Sequence, residues 1–451
     1  MRLEDQQGRD AGLVEAIDAL LRERYQSDQP GVAVIACRRG TVIYRGGHGL
    51  ANLELGVKIA PHMVFRLGSI TKQFTAAAIL ILRDEGKLSL DHPITTYLPD
   101  YPMHGQTITI EHLLRHTSGI PNYTGLPSFL TNQRQDLSLD QLIDSFKNEP
   151  LDFVPGAKWD YSNSGYILLG AIIEKASGLS YEQFLQARIF DPLGMGHSGY
   201  DHTERIVPGR VAGYQTGATG LENAPYLSMT LPYAAGALMS SVEDLAVWNE
   251  ALASGALLGP ETVCQAWTSG TLTNGDAHGY GYGWSVFAYE GHRVVEHAGG
   301  IHGFLTDGIY FPDERVYVAV LGNLMVAEAG PDKTALRIAG LIIGAPYHEP
   351  PTVPLSPSRR AALAGVYLEG GDEWQVISQD DTLMLRTKGG QSLGLYPISD
   401  REFRTDELLT RVRVEETGGA ITALVSQGRN GLVQRLVRTD RPLSEASREE
   451  G

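Results

Sequence analysis

The chain has 451 residues, 42% of them hydrophobic and 20% charged, with a formal net charge of −16. That length suits two or three globular domains, and the acidic balance argues against nucleic acid or an anionic membrane as a partner. Two cysteines, Cys37 and Cys264, exclude a disulfide framework or a cysteine metal cage and leave room for one disulfide.

Residues 11–26 carry Leu13, Val14, Ile17, Leu20, Leu21 and Tyr25, an apolar stripe at helical spacing. Strand-like runs follow at 32–37 and 42–46, joined by the hairpin signal Arg38-Arg39-Gly40. A helix is expected over 69–85, with Gly86 closing its C-terminal end. Its interior, Ala76 to Leu82, is apolar nearly all round, the mark of a helix buried on most sides. Another helix is expected over about 164–176, ending near Gly178, and Ser180 with Gln183 forms a capping box for the next. Strands reappear at 281–289, 292–297, 304–311 and 316–322, and a helix at about 333–343 ends this half. The order predicts an α/β (α+β) architecture: an antiparallel sheet built from both ends of the segment, flanked by helices, with an all-helical region inserted.

The stretch 346–360 is proline-rich and reads as a linker between a first domain over 1–345 and a second over 361–441. In the second, short strands recur near 364–369, 374–378, 382–386, 393–397, 402–405, 411–415, 420–426 and 433–438. That pattern predicts a small closed barrel, followed by a frayed tail over 442–451. No window approaches the roughly 20 apolar residues of a membrane-spanning helix. The polar start Met1-Arg2-Leu3-Glu4-Asp5 lacks a signal core. The chain therefore reads as cytoplasmic, or as periplasmic or secreted if a leader was removed before residue 1.

Three motifs carry chemistry. In Ser69-Ile70-Thr71-Lys72 the serine and lysine share a helix face. A serine hydroxyl needs a base, and a lysine amine serves when desolvation lowers its pKa. The tetrad alone is weak, since composition gives about one chance match in a chain this long, and an ordinary helix start is the plain alternative. Tyr161-Ser162-Asn163 falls on a loop before a helix, where a phenol and an amide can be aimed into a cleft. Tyr161 could act there as phenolate or proton relay, and Asn163 could hold a substrate amide and Lys72. The plain alternative is a helix cap. Glu296-His297-Ala298-Gly299-Gly300 is expected to end a strand, with glycines that free a backbone N–H for an oxyanion. A structural histidine in a glycine turn is the alternative there. His302 makes a metal pair with His297 imaginable, but no third ligand is evident.

Taken in order, the motifs resemble those of the serine β-lactamases, D-Ala-D-Ala carboxypeptidases and their D-aminopeptidase and esterase relatives: Ser-x-x-Lys, Tyr-x-Asn, then Lys-Thr-Gly or His-x-Gly. Leu113 to Pro121 and Asp191-Pro192-Leu193-Gly194-Met195 also look like that family's stretches, and the resemblance covers about 10–345. It implies a β-lactamase/transpeptidase-like fold with a C-terminal lipocalin-like barrel. The barrel resembles the domains appended to D-aminopeptidases and related peptidases, and could wall off the cleft's mouth or build an oligomer.

The implied catalytic residues are Ser69, Lys72 and Tyr161, with Asn163, His297, Gly299 and Gly300 holding substrate and oxyanion and His116 structural. No metal or cofactor is implied. The partner is a small peptide, amide or ester substrate, with assembly into a homo-oligomer left open. His297 stands where β-lactamases usually carry lysine; a mostly neutral imidazole anchors a carboxylate less firmly, which favours the peptidase, amidase or esterase branch. Two other readings stay open: a thioesterase-type acyltransferase that releases or cyclises peptides, and a non-catalytic binding or scaffold protein.

Overall fold

The apolar runs at both ends of the first half become one antiparallel sheet. Its strands are β1 (Val32–Arg38), β2 (Thr41–His48), β3 (Ser285–Tyr289), β4 (His292–Ile301), β5 (Phe304–Phe311) and β6 (Val316–Gly322), in spatial order β3-β4-β5-β6-β1-β2. The computed structural model describes residues 3–325, 330–370, 372–379, 381–387 and 392–443. It divides into two units, Met1–Tyr347 and His348–Gly451.

Helix α1 (Leu3–Arg24) packs on β2, and the terminal helix of this unit, Pro331–Ile343, packs on β5 and β6. Helix Val242–Ala253 lies against β1 and β6. Along β1, Ala33, Ile35 and Cys37 join the large core shared with the helical region. The intervening Val32, Val34 and Ala36 are just as buried. Side chains alternate across a strand, so this burial pattern means both faces are covered.

The inserted region is helical, as its sequence predicts. Helix α2 (Thr71–Asp84) is its axis: every residue from Thr71 to Leu82 is buried. Phe74 stacks on Trp248 at 4.1 Å between ring centroids. Helix α3 (Asn163–Ser177) packs on α2 and ends at Gly178 in the left-handed conformation. The Ser180–Gln183 capping box forms as expected. Both cysteines are free, Cys37 buried and Cys264 exposed.

Several expectations need correction. The helix expected from residue 69 begins at Thr71, after a 3₁₀ turn over Gly68–Ile70. The strand expected from 281 begins at Ser285, because Gly283 is at φ +87° and a Cβ there would meet the Lys72 carbonyl at 2.7 Å. Pro357–Leu363, partly assigned to the linker, is a helix capped by Ser356, with Leu363 in the barrel core.

The second unit is a closed barrel of Gly365–Glu369, Asp372–Gln379, Thr382–Thr387, Ser392–Pro397, Glu402–Thr405, Arg411–Thr417, Ala420–Gln427 and Val433–Arg438, each strand antiparallel to the next. Its core holds Tyr367, Val376, Leu385, Phe403, Val412 and Leu424. Of the expected frayed tail, 444–451 lie outside the described residues. Among the described residues no helix is long and apolar enough to cross a membrane.

Candidate active site

Ser69 sits where strand Phe65–Arg66 turns into α2. The turn needs Gly68: its φ is +55°, and a Cβ there would lie 2.9 Å from the Gly300 nitrogen. Thr71 Oγ1 accepts from the Leu238 N–H at 3.1 Å and ties the start of α2 to the neighbouring strand. Lys72 falls one residue into the helix, beside Ser69.

The Lys72 side chain is fully buried, with 0% exposure. Its Nζ lies 3.1 Å from Ser69 Oγ, 2.8 Å from Asn163 Oδ1 and 2.8 Å from the Ala235 carbonyl. Amide and carbonyl oxygens can only accept. An ammonium fills all three contacts as donor; once it gives up a proton, the amine keeps its N–H groups on Asn163 and Ala235 and can turn its lone pair to the Ser69 hydroxyl. Burial favours the neutral form, holding the amine's pKa well below the ordinary 10.5. The start of α2 is buried as a whole, and the Tyr161 and Tyr166 rings lie against Nζ.

Tyr161 and Asn163 flank Ser162 at the start of α3. Asn163 is the first helical residue, and its N–H donates to Asn122 Oδ1 at 3.2 Å. The Ser162 side chain does not cap the helix; its hydroxyl donates to the Ile120 carbonyl at 2.9 Å. The Tyr161 hydroxyl hydrogen-bonds Ser69, and burial raises its pKa. Of the two roles open to Tyr161, the relay fits: the phenol is protonated at neutral pH. Lys72 Nζ lies 4.8 Å from the centre of the Tyr161 ring.

The third motif lies within β4 and does not end it. Pairing with β3 runs from Tyr289↔His292 to Ser285↔Glu296. From His297 onward, among the described residues, β4 pairs with β5 alone, through Ile301↔Phe304. The glycines explain how the strand continues past the nucleophile's turn. A Cβ on Gly299 would sit 2.0 Å from the Leu67 carbonyl oxygen and 2.4 Å from Thr306 Oγ1. Thr306 Oγ1 donates to that same carbonyl at 2.7 Å. Gly300 is exposed. The open edge from His297 to Ile301 thus runs beside Ser69 with the Gly300 backbone accessible.

His297 is buried, 5% exposed, with Nε2 at 2.9 Å from the Tyr280 hydroxyl and Nδ1 at 2.6 Å from the Ala298 carbonyl. Its ring centroid is 6.3 Å from that of Tyr161. The carbonyl can only accept, so Nδ1 carries a proton, and Nε2 shares its hydrogen bond with the Tyr280 hydroxyl. All seven residues expected from the motifs gather in this one place.

Sequence reasoning missed Tyr280. It stands in Gly279-Tyr280-Gly281-Tyr282-Gly283, a glycine–tyrosine alternation taken partly for strand. Gly281 explains the alternation: a Cβ there would meet the Ala266 carbonyl oxygen at 2.0 Å. Also missed was the Ala235 carbonyl, for which no side-chain signal exists. His116, read as structural, lies 4.3 Å from the Tyr161 ring and accepts from the Ser162 N–H through Nδ1 at 3.1 Å. It supports the Tyr161 loop from behind, and burial holds its pKa well below 6.5.

The family model for beta-lactamase matches residues 14–341. The chain belongs to the serine β-lactamase and penicillin-binding-protein family. It is 30% identical over 397 residues to penicillin-binding protein 4* of Bacillus subtilis, covering 82% of this chain and 86% of that one. An octameric penicillin-binding-protein homologue from Pyrococcus abyssi superposes with a TM-score of 0.67 at 26% identity, over 95% of this chain and 99% of that one. A D-stereospecific amidohydrolase from Streptomyces sp. has a TM-score of 0.60 at 27% identity, over 74% of this chain and 98% of that one. These likenesses support serine hydrolase activity in general.

Proposed function

We propose that the chain hydrolyses amide, peptide or ester bonds through an acyl-enzyme on Ser69. One observation carries this reading: a fully buried lysine amine, held by two obligate acceptors, turns its third position to the serine hydroxyl. A structural lysine gains nothing from such a site, whereas a general base needs it.

In the proposed reaction Ser69 Oγ bonds to the substrate carbonyl carbon as its proton passes to Lys72, with Tyr161 as relay. The N–H groups of Ser69 and Gly300 hold the tetrahedral oxyanion. The bond to the leaving amine or alcohol breaks as that group takes a proton from Tyr161. Water then adds to the acyl carbon, passing its proton along the same path, and the bond from that carbon to Ser69 Oγ breaks as Oγ takes a proton back, releasing the acid. Asn163 and His297 orient the substrate, and a chain lying along the open edge of β4 presents its carbonyl between Ser69 and Gly300. The D-stereospecific amidohydrolase among the similar structures supports amides, D-residues included, as the substrate class. The octameric Pyrococcus homologue supports self-association, which light scattering would measure.

The test is fluorophosphonate labelling read by intact mass, with D- and L-amino-acid p-nitroanilides and short acyl esters as substrates and Ser69→Ala as control. Labelling at Ser69 and turnover of one substrate class are expected. Labelling that survives in Ser69→Ala overturns the assignment. Product mass separates hydrolysis, which adds water, from acyl transfer.

A further inference from the structure

A cavity of about 310 Å³ lies between strand Phe65–Arg66, the 210–213 segment, residues 223–227 and the turn that follows β4. Its polar wall holds Arg66, Arg210, Asp201 and His302, and Val64, Phe304, Met239 and Leu227 supply apolar surface. Asp201 is 1% exposed. It accepts from Arg66 Nε at 2.8 Å and from Arg210 Nη2 at 2.7 Å. A buried carboxylate is balanced by one guanidinium. Here two face it, so the cluster carries one uncompensated positive charge in a concavity.

The distribution of donors points the same way. Arg210 Nη2 also donates to the His202 carbonyl at 2.9 Å. Arg66 uses Nε alone among the described residues, which leaves its forked Nη edge unspent. That edge matches a carboxylate held through two parallel bonds. The cavity also sits at the right place. Arg66 is three residues before Ser69, and His302 is two after Gly300, so both walls start within about 10 Å of the reacting atoms by backbone reach. An acyl group carried on Ser69 Oγ and laid along the open edge of β4 would pass Gly300 toward His302, two residues on.

We propose that this cavity is a subsite for an anionic group on the acyl half of the substrate, a carboxylate on a short apolar arm that seats on Arg66 and Arg210. The proposal rests on the Ser69 acyl-enzyme reading and names the substrate class for it.

The test uses two alkyl fluorophosphonates of equal chain length, one ending in a carboxylate and one in the isosteric carboxamide. Each forms an Oγ–P bond at Ser69 with loss of fluoride, while the serine proton passes to Lys72. In the unaltered protein the carboxylate probe is expected to label Ser69 roughly tenfold faster, as a charge-assisted pair predicts. In Arg66→Gln, which leaves Asp201 paired with Arg210, that ratio falls toward one, and Arg210→Gln lowers it as well. Equal rates for the two probes in the unaltered protein overturn the subsite and leave the nucleophile standing. A ratio that persists in both variants overturns it too, since the arginines would then only hold Asp201. Labelling by neither probe overturns the nucleophile reading and the subsite with it.

Discussion

Along β1 and β6 nearly every residue is buried, because helices cover both faces of the sheet. In the barrel a strand such as Arg411–Thr417 buries Val412 and Val414 and leaves Arg413 exposed. The glycines differ in the same way. In the first unit Gly68, Gly283 and Gly299 each stand where backbone of another segment comes within 3 Å of a Cβ position. In the barrel turns Gly418, Gly419 and Gly431 face open space and are needed only for their positive φ. A sheet buried on both faces offers no free face for a site, so the candidate site lies where glycines let one segment pass against another. The barrel uses glycine to turn and spends its interior on packing.

Ser69→Ala is the sharpest cut, because it removes the proposed chemistry without touching that packing. Turnover and labelling are expected to fall by at least about 10³-fold, with a melting temperature within about 2 °C of the unaltered protein. A loss of similar size without loss of fold is expected for Lys72→Arg, since guanidinium does not deprotonate. The two differ in what pH shows. The base must be neutral, so kcat/KM of the unaltered protein rises with pH through the lowered pKa of Lys72 and levels far below 10.5. Lys72→Arg lacks that limb at every pH tried. Linkage gives a second readout: the folded state binds fewer protons than the unfolded one between the two pKa values, so stability rises with pH across that window. Lys72→Met flattens that slope.

Gly299→Ala tests the close approach itself. The new Cβ, 2.0 Å from the Leu67 carbonyl oxygen, forces the turn that carries Ser69 away from β4. About 2–4 kcal/mol of stability and at least tenfold in activity should be lost together, read by denaturant unfolding and by turnover. Tyr280→Phe is milder. It removes the partner of His297 Nε2 and is expected to raise KM several-fold with kcat within about twofold, as a substrate-orienting role requires.

These variants also mark what could be read before the structure. The barrel was legible strand by strand, since alternation at short intervals is a signal each strand carries alone. Ser69, Lys72, Tyr161, Asn163 and His297 were legible because each belongs to a short motif. Strand ends around the site were not. Residues 281–284 and 298–301 are each half glycine, and whether such a run is strand or turn depends on what passes beside it: Lys72 O against Gly283, Leu67 O against Gly299. Tyr280 and the Ala235 carbonyl act only by position, and no pattern in the chain records a position.

The smallest expected effect completes the contrast. Thr417 and Ala420 pair across a two-residue turn in which Gly418 has φ +61° and Gly419 φ +84°. Positive φ at both central positions is the type I′ arrangement, which matches the twist of the flanking strands. Nothing lies within 4 Å of a Cβ on either glycine. Gly419→Ala should therefore cost only the left-handed penalty, about 1–2 kcal/mol, visible as faster amide exchange in Arg411–Thr417 and Ala420–Gln427. Gly418→Asn should be nearly neutral, because asparagine tolerates that conformation. A cost for Gly419→Ala as large as that of Gly299→Ala would mean that the barrel glycine is also held by contact, and the division between the two uses of glycine would fail.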